Sequence, residues 1–173
     1  MKAPPPMTDT RVDLALSGSC VRVAQVTDTH LEELRGGTLL GMDTDASLAH
    51  VLDLLRGPLR PDLLLATGDL ANHGSEAAYV RVRESFDALG LPWFWLPGNH
   101  DAGPLMHGVI GRGRPMIRCV CVGAWQIVML DSTVAGQVGG SLGAAELALL
   151  DRLLAAEPAR HALVCLHHQP VAI

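Results

Sequence analysis

The stretch "PDLLLATGDL", residues 61–70, decides the fold by its change of character. Leu63 to Ala66 is an unbroken apolar run, and it stops abruptly at Gly68 and Asp69. A strand that is apolar at successive positions is buried on both faces, as in a sheet covered by helices. The neighbouring segments repeat the pattern. "CVRVAQVTDTH" (20–30) reads as a strand from Cys20 to Val26 ending in polar residues, and "PWFWLPGNHD" (92–101) as a short strand ending at Gly98. Between these strands, Leu48, Val51, Leu52 and Leu55 recur at helical spacing before Gly57-Pro58 stops them. Tyr79, Val82, Phe86 and Leu89 form a second stripe, closed by Gly90. The alternation predicts βαβ units around a largely parallel sheet.

Further along, "MIRCVCVGAWQIVMLDS" (116–132) predicts a β-hairpin turning near Gly123-Ala124. A Leu-rich helix is expected from about Ala144 to Ala156, ended by Pro158, and "HALVCLHH" (161–168) is a last strand. The fold class is α/β with a mixed sheet.

Composition narrows the function. A chain of 173 residues is long enough for one domain with a core. The net charge of −5, with Lys2 as the only lysine, argues against binding a nucleic-acid backbone. No run is apolar for the eighteen or so residues of a membrane span. The start, "MKAPPPMTDTRVD", has no apolar core of a secretory signal, so a cytoplasmic protein is expected. Cys20, Cys119, Cys121 and Cys165 lie in apolar runs and are expected as buried, reduced core residues, with the 119 and 121 thiols on one strand face.

Polar clusters fall in one kind of place. Asp28 and His30, then Asp69, then Asn99 and His100, then His167 and His168, each follow the end of a different strand. In open α/β sheets ligands bind in the crevice outside such ends. Carboxylate, amide and imidazole donors suit borderline divalent ions such as Mn(II), Fe(II) and Zn(II). Two ions ~3.5–4 Å apart clamp the attacking and leaving oxygens of an in-line displacement at phosphorus. Each cluster alone has a plainer reading: Asp69 as a helix N-cap, Asn99 as a turn residue, His167-His168 as a surface pair. Four such clusters, one at each strand end, favour shared chemistry.

"DTH" (28–30), "GDLAN" (68–72), "GNHD" (98–101) and "LHHQP" (166–170) resemble, in order and spacing, the calcineurin-like metallophosphoesterases. "QVTDTHL", "LLGMDTDAS", "LLATGDLA", "SEAAY", "WLPGNHD" and "GSLGAAELALLDRLL" are similar to the bacterial class III phosphodiesterases of the cyclic-AMP type. The resemblance implies the N-terminal part of an α/β/β/α sandwich. Residues 1–18 would be a tail or edge strand, and residues 19–173 a phosphoesterase domain incomplete at its C-terminus. It implies two divalent ions, Fe(II) or Mn(II) and in second place Zn(II), and a cyclic nucleotide or other phosphodiester as substrate. Asp28 and His30 match ligands of a first ion, Asp69 the bridging carboxylate, and Asn99 and His167 ligands of a second. His167 is preferred to His168 because the family's ligand stands two residues before a proline whose place Gln169 takes. His100 matches the phosphate-contacting histidine and proton donor, and Asn72 is a candidate substrate-binding or orienting residue. The family's later G-H-x-H segment is absent from these residues. On that ground an inactive remnant, or a phosphoesterase of other substrates, stands as the alternative to hydrolysis of 3′,5′-cyclic AMP.

The remaining candidates have quieter expectations. His50, His107 and His161 read as surface residues, His73 as a neighbour of the site, Arg112 and Arg114 as loop residues, and Asp131 as a possible buttress. "GRGRPM" lacks the third glycine of a dinucleotide fingerprint, and neither G-x-S-x-G nor H-E-x-x-H occurs.

Overall fold

A computed structural model describes residues 11–16, 20–58, 60–110 and 116–171. Arg112 and Arg114 lie outside the described residues. Among the described residues nine strands and four helices follow one another: β1 (Arg11–Leu14), β2 (Val23–Val26), β3 (Thr38–Leu39), β4 (Met42–Asp43), α1 (Thr44–Leu54), β5 (Leu63–Thr67) and α2 (Glu76–Asp87). Then come β6 (Trp93–Leu96), α3 (Gly103–Ile110), β7 (Cys119–Val122), β8 (Trp125–Met129), α4 (Ala144–Ala156) and β9 (His161–Cys165).

These form four layers. β2, β5 and β6 make a wholly parallel sheet, and β1, β7, β8 and β9 a mixed one in that order. Residues of β5 show how the layers pack. Leu64 and Ala66 join Leu48, Leu52, Tyr79, Val82 and Phe86 of α1 and α2 in one core. Leu63 and Leu65, on the opposite face, meet Val120, Val122, Ile127 and Met129 of the second sheet. Burying each such aliphatic side chain contributes ~1.5–3 kcal/mol. The outer face of the mixed sheet is covered by α4, where Leu149 meets Val128 and Leu130. The α/β/β/α sandwich with a mixed sheet is therefore the observed architecture.

The differences from expectation have local causes. β2 begins at Val23 rather than Cys20, and Cys20 is exposed, so the expected burial fails there. Cys119 and Cys121 are buried with their sulfurs 3.9 Å apart, and burial pushes the Cys119 thiol up to about 12 and that of the half-buried Cys165 to about 11. The Cys119 and Cys165 thiols therefore stay protonated at neutral pH. Val51, read as part of the α1 stripe, is exposed, because Leu48 and Leu52 already fill the contact with α2. Asp43 caps α1 by accepting from the Ala46 amide at 2.9 Å. β9 leaves apolar side chains exposed, with Leu163 and Val164 facing solvent. No described helix is long and apolar enough to cross a membrane.

Candidate metal centre

The predicted residues do converge, but from both sheets. Asp28 and His30 follow β2, Asp69 follows β5, and Asn99 and His100 follow β6, all in the parallel sheet. His167 follows β9 and crosses over from the mixed sheet, not from a fourth strand of the first. All six line one open cavity of about 670 Å³, together with His168 and Gly140.

Backbone geometry sets their directions. Asp28, His30 and Asp69 adopt left-handed φ values of 55°, 44° and 52°, a conformation uncommon for residues with a Cβ. Cross-strand hydrogen bonds hold it in place. The amides of Asp28, His30 and Leu31 donate to the carbonyls of Gly68, Asp69 and Leu70 at 2.9–3.0 Å, so the two loops stay zipped beyond the end of the sheet. Such local strain persists only where the surroundings over-determine it, and it clusters at functional sites.

Two glycines exist for closeness. A Cβ on Gly98 would overlap the backbone N and Oδ1 of Asp69 and come within 2.8 Å of its Cγ. A Cβ on Gly68, where φ is +98°, would lie 2.6 Å from Nδ1 of His167. Gly98→Ala is therefore expected to push the Asp69 carboxylate aside, with a stability loss of ~1–3 kcal/mol from overpacking. Divalent-ion affinity should fall further than stability does. Urea denaturation and calorimetric titration with Mn(II) on the same variant separate the two effects.

Asp69 is the hub. It is buried, its Oδ1 accepts from the His100 amide at 2.9 Å, and its Oδ2 faces two imidazoles. Nε2 of His167 lies 3.4 Å from that oxygen and Nε2 of His30 3.7 Å from it. His30 Nε2 is also 3.8 Å from Oδ1 of Asp28, whose other oxygen accepts from Thr27 Oγ1 at 2.6 Å. The Nδ1–H of His167 donates to the Thr67 carbonyl at 3.0 Å, which leaves its Nε2 lone pair aimed at the carboxylate. A lone pair facing a carboxylate oxygen is repulsive unless a proton or a metal ion lies between them. Ligand atoms of these types bind a first-row divalent ion at ~2.0–2.2 Å, so pairs 3.4–3.8 Å apart can share one. The donor set fits. Donor atoms cluster within 4.8 Å in two groups, His30 with Asp69 and His100, and Asp28 with Asp69 and His167, and Asp69 belongs to both.

Residues 21–172 match the Calcineurin-like phosphoesterase family. The chain belongs to that family. This chain is 42% identical over 162 residues to a 3′,5′-cyclic adenosine monophosphate phosphodiesterase CpdA of Escherichia coli K12, a match covering 91% of this chain and 59% of that protein. It is 40% identical to the CpdA of Pseudomonas aeruginosa, covering 88% of this chain and 57% of that one. A cAMP/cGMP dual specificity phosphodiesterase of Mycobacterium tuberculosis is 34% identical, with 84% of this chain and 49% of that protein aligned. The chain thus spans about three fifths or less of these relatives' length.

The other candidates separate cleanly. His100 is exposed to the cavity, its ring edge-on to His30 at 4.8 Å, and its Nδ1–H donates to the Asn72 carbonyl at 2.8 Å. Its Nε2 is left as the nitrogen that can exchange a proton. Asn72 does not line the cavity; it is buried, and its side-chain amide donates to Glu32 at 2.7 Å. His168 is occupied at both nitrogens, by Ser132 Oγ at 2.8 Å and the Val138 carbonyl at 3.0 Å. His73 is exposed and touches the Asn72 amide, while His50, His107 and His161 are surface residues. Asp131 turns away from the cavity, accepting from the amide and hydroxyl of Thr133.

Sequence reading passed over Asp101. It is the acceptor for the amides of Leu70, Ala71 and Gly98 at 2.9–3.1 Å and for the Tyr79 hydroxyl at 3.0 Å. Burial pushes its carboxyl above the usual aspartate range, and those four donors oppose the shift. Its place directly after Asn99-His100 was the available signal.

Proposed function

We propose that this phosphoesterase hydrolyses 3′,5′-cyclic AMP to 5′-AMP with two divalent ions, Fe(II) or Mn(II), and Zn(II) as a lesser candidate. The observation that carries the reading is a single buried oxygen, Asp69 Oδ2, facing imidazole nitrogens from both sheets. Asp28, His30 and Asp69 would hold one ion, and Asp69, Asn99 and His167 the other. Ions so placed supply Lewis-acid charge at phosphorus and acidify water near neutral pH.

The protein's own groups do the rest. Asp69 and the two imidazoles fix where positive charge stands, and among the described residues no lysine or arginine lines the cavity to hold a phosphate anion there. As water adds to phosphorus and the P–O3′ bond breaks, Nε2 of protonated His100 gives its proton to the departing 3′ oxygen. Positioned proton transfer of this kind contributes ~10²–10⁴-fold. The relatives named for cyclic AMP support the substrate, and a cytoplasmic site of action goes with it.

Turnover of cyclic AMP, cyclic GMP and an aryl phosphodiester, measured side by side with added Mn(II), tests this. Cyclic AMP should be preferred, and His100→Gln should lower its kcat ~100-fold or more. A preference for the aryl ester alone overturns the cyclic-AMP assignment.

A further inference from the structure

Behind His100 lies a run of polar contacts that the reaction itself does not use. Nδ1–H of His100 donates to the Asn72 carbonyl at 2.8 Å. The Asn72 amide is fixed by donating to the Leu31 carbonyl at 3.0 Å, and Asn72 and His73 open a turn. The Asn72 side chain supplies the second anchor, through its bond to Glu32 Oε1 at 2.7 Å.

Glu32 is itself held on three sides. Arg81, on α2, donates from its guanidinium to the Glu32 carbonyl and, at 2.8 Å, to that of Glu33. Arg81 is buried and paired with Asp45 of α1 at 2.9 Å. Gly37 packs so closely on the Glu32 side chain that a Cβ there would overlap its Cβ and Cγ. The carboxylate therefore has few other places to go.

We propose that Glu32 is a positioning residue for His100. By anchoring the Asn72 side chain it aims the carbonyl that holds Nδ1–H, and so keeps Nε2 turned toward the cavity. A carbonyl accepts and cannot donate, so the contact selects the tautomer with hydrogen on Nδ1 and fixes the ring's orientation together with it. This rests on the role given to His100 above.

The test uses Glu32→Ala and Glu32→Gln in the full chain. Gln keeps an oxygen that can accept from Asn72, whereas Ala removes the acceptor. Long-range ¹⁵N–¹H correlation in the metal-free protein reads the His100 tautomer without any turnover. Wild type and Glu32→Gln should show the Nδ1–H form, and Glu32→Ala a mixture of the two. With Mn(II) added, Glu32→Ala should slow the cyclic ester, whose alkoxide leaving group needs a proton, ~10-fold or more. A p-nitrophenyl ester, whose leaving group needs none, should slow less than about 3-fold. Three results overturn the proposal: an unchanged tautomer in Glu32→Ala, equal losses on both esters, or Glu32→Gln behaving like Glu32→Ala. If wild type turns over neither ester, the proposed activity fails, while the tautomer measurement still decides what Glu32 does.

Discussion

Asp69→Asn protein in EDTA should melt at or above the wild-type temperature, and added Mn(II) should no longer raise that temperature. The first half follows from the apo geometry. Asp69 is a buried carboxylate, and holding that carboxylate away from water is costly where no metal ion offsets it. Asparagine keeps an oxygen to accept from the His100 amide and offers an N–H to the imidazole, while removing the charge. The second half follows from the place of Asp69 in both donor groups, with its Oδ2 facing the imidazoles of His30 and His167. A ligand that binds only the folded state at ~100 times its Kd stabilises by ~2.7 kcal/mol, or about 5–10 °C at this chain length. Asp69→Asn should abolish that shift and weaken Mn(II) binding ~100-fold or more, since even partners one shell further out cost ~10–100-fold. Two tight equivalents in a calorimetric titration of the variant would remove Asp69 from the centre of the site.

What the sequence announced and what it hid follow from the range of the interactions involved. α4 was legible to the residue, because Ala144 to Ala156 combines strong helix formers with a proline shortly after its end. The stripe Tyr79, Val82, Phe86 and Leu89 was legible because one face meets one core, and all four are buried. α3 was missed: Gly103, Pro104 and Gly108 within eight residues obscure a helical pattern. The two-residue strands β3 and β4 are too short for any periodicity; the turn between them rests on left-handed Leu40 and Gly41. Assignment of strands to sheets is a long-range matter. The pairing of β8 with β9 in parallel, which brings His167 across, leaves no trace in local pattern. Site residues were legible as a set because their chemistry is unusual at strand ends. Their left-handed backbones were not, since aspartate and histidine are enriched at positive φ but adopt it in only a minority of places.

Asp101→Ala should be among the most destabilising single substitutions in the chain, at ~3–5 kcal/mol, and Asp101→Asn should recover little of it. The carboxylate joins three segments that are distant in sequence: the Leu70-Ala71 amides after β5, the Gly98 amide after β6, and the Tyr79 hydroxyl on α2. Tyr79 in turn accepts from the Ala102 amide at 2.7 Å and is fully buried against Trp95. Alanine leaves four donors without an acceptor in a dry environment, each costing ~1–3 kcal/mol when unpaired, and relaxation keeps the sum below simple addition. Asparagine keeps one acceptor oxygen but turns an NH₂ toward donors, so the isosteric change does not restore the network. Tyr79→Phe removes one hydroxyl and should cost only ~1–2 kcal/mol. The expected order in urea midpoint is wild type, then Tyr79→Phe, then the two Asp101 variants. Because the same bonds hold Asp69 and Asn99 at their separation, Mn(II) affinity should fall in that order as well, measured where each variant is still folded. Asp101→Asn within about 0.5 kcal/mol of wild type would mean that the amides find other acceptors and that the two loops are held by their own backbone bonds.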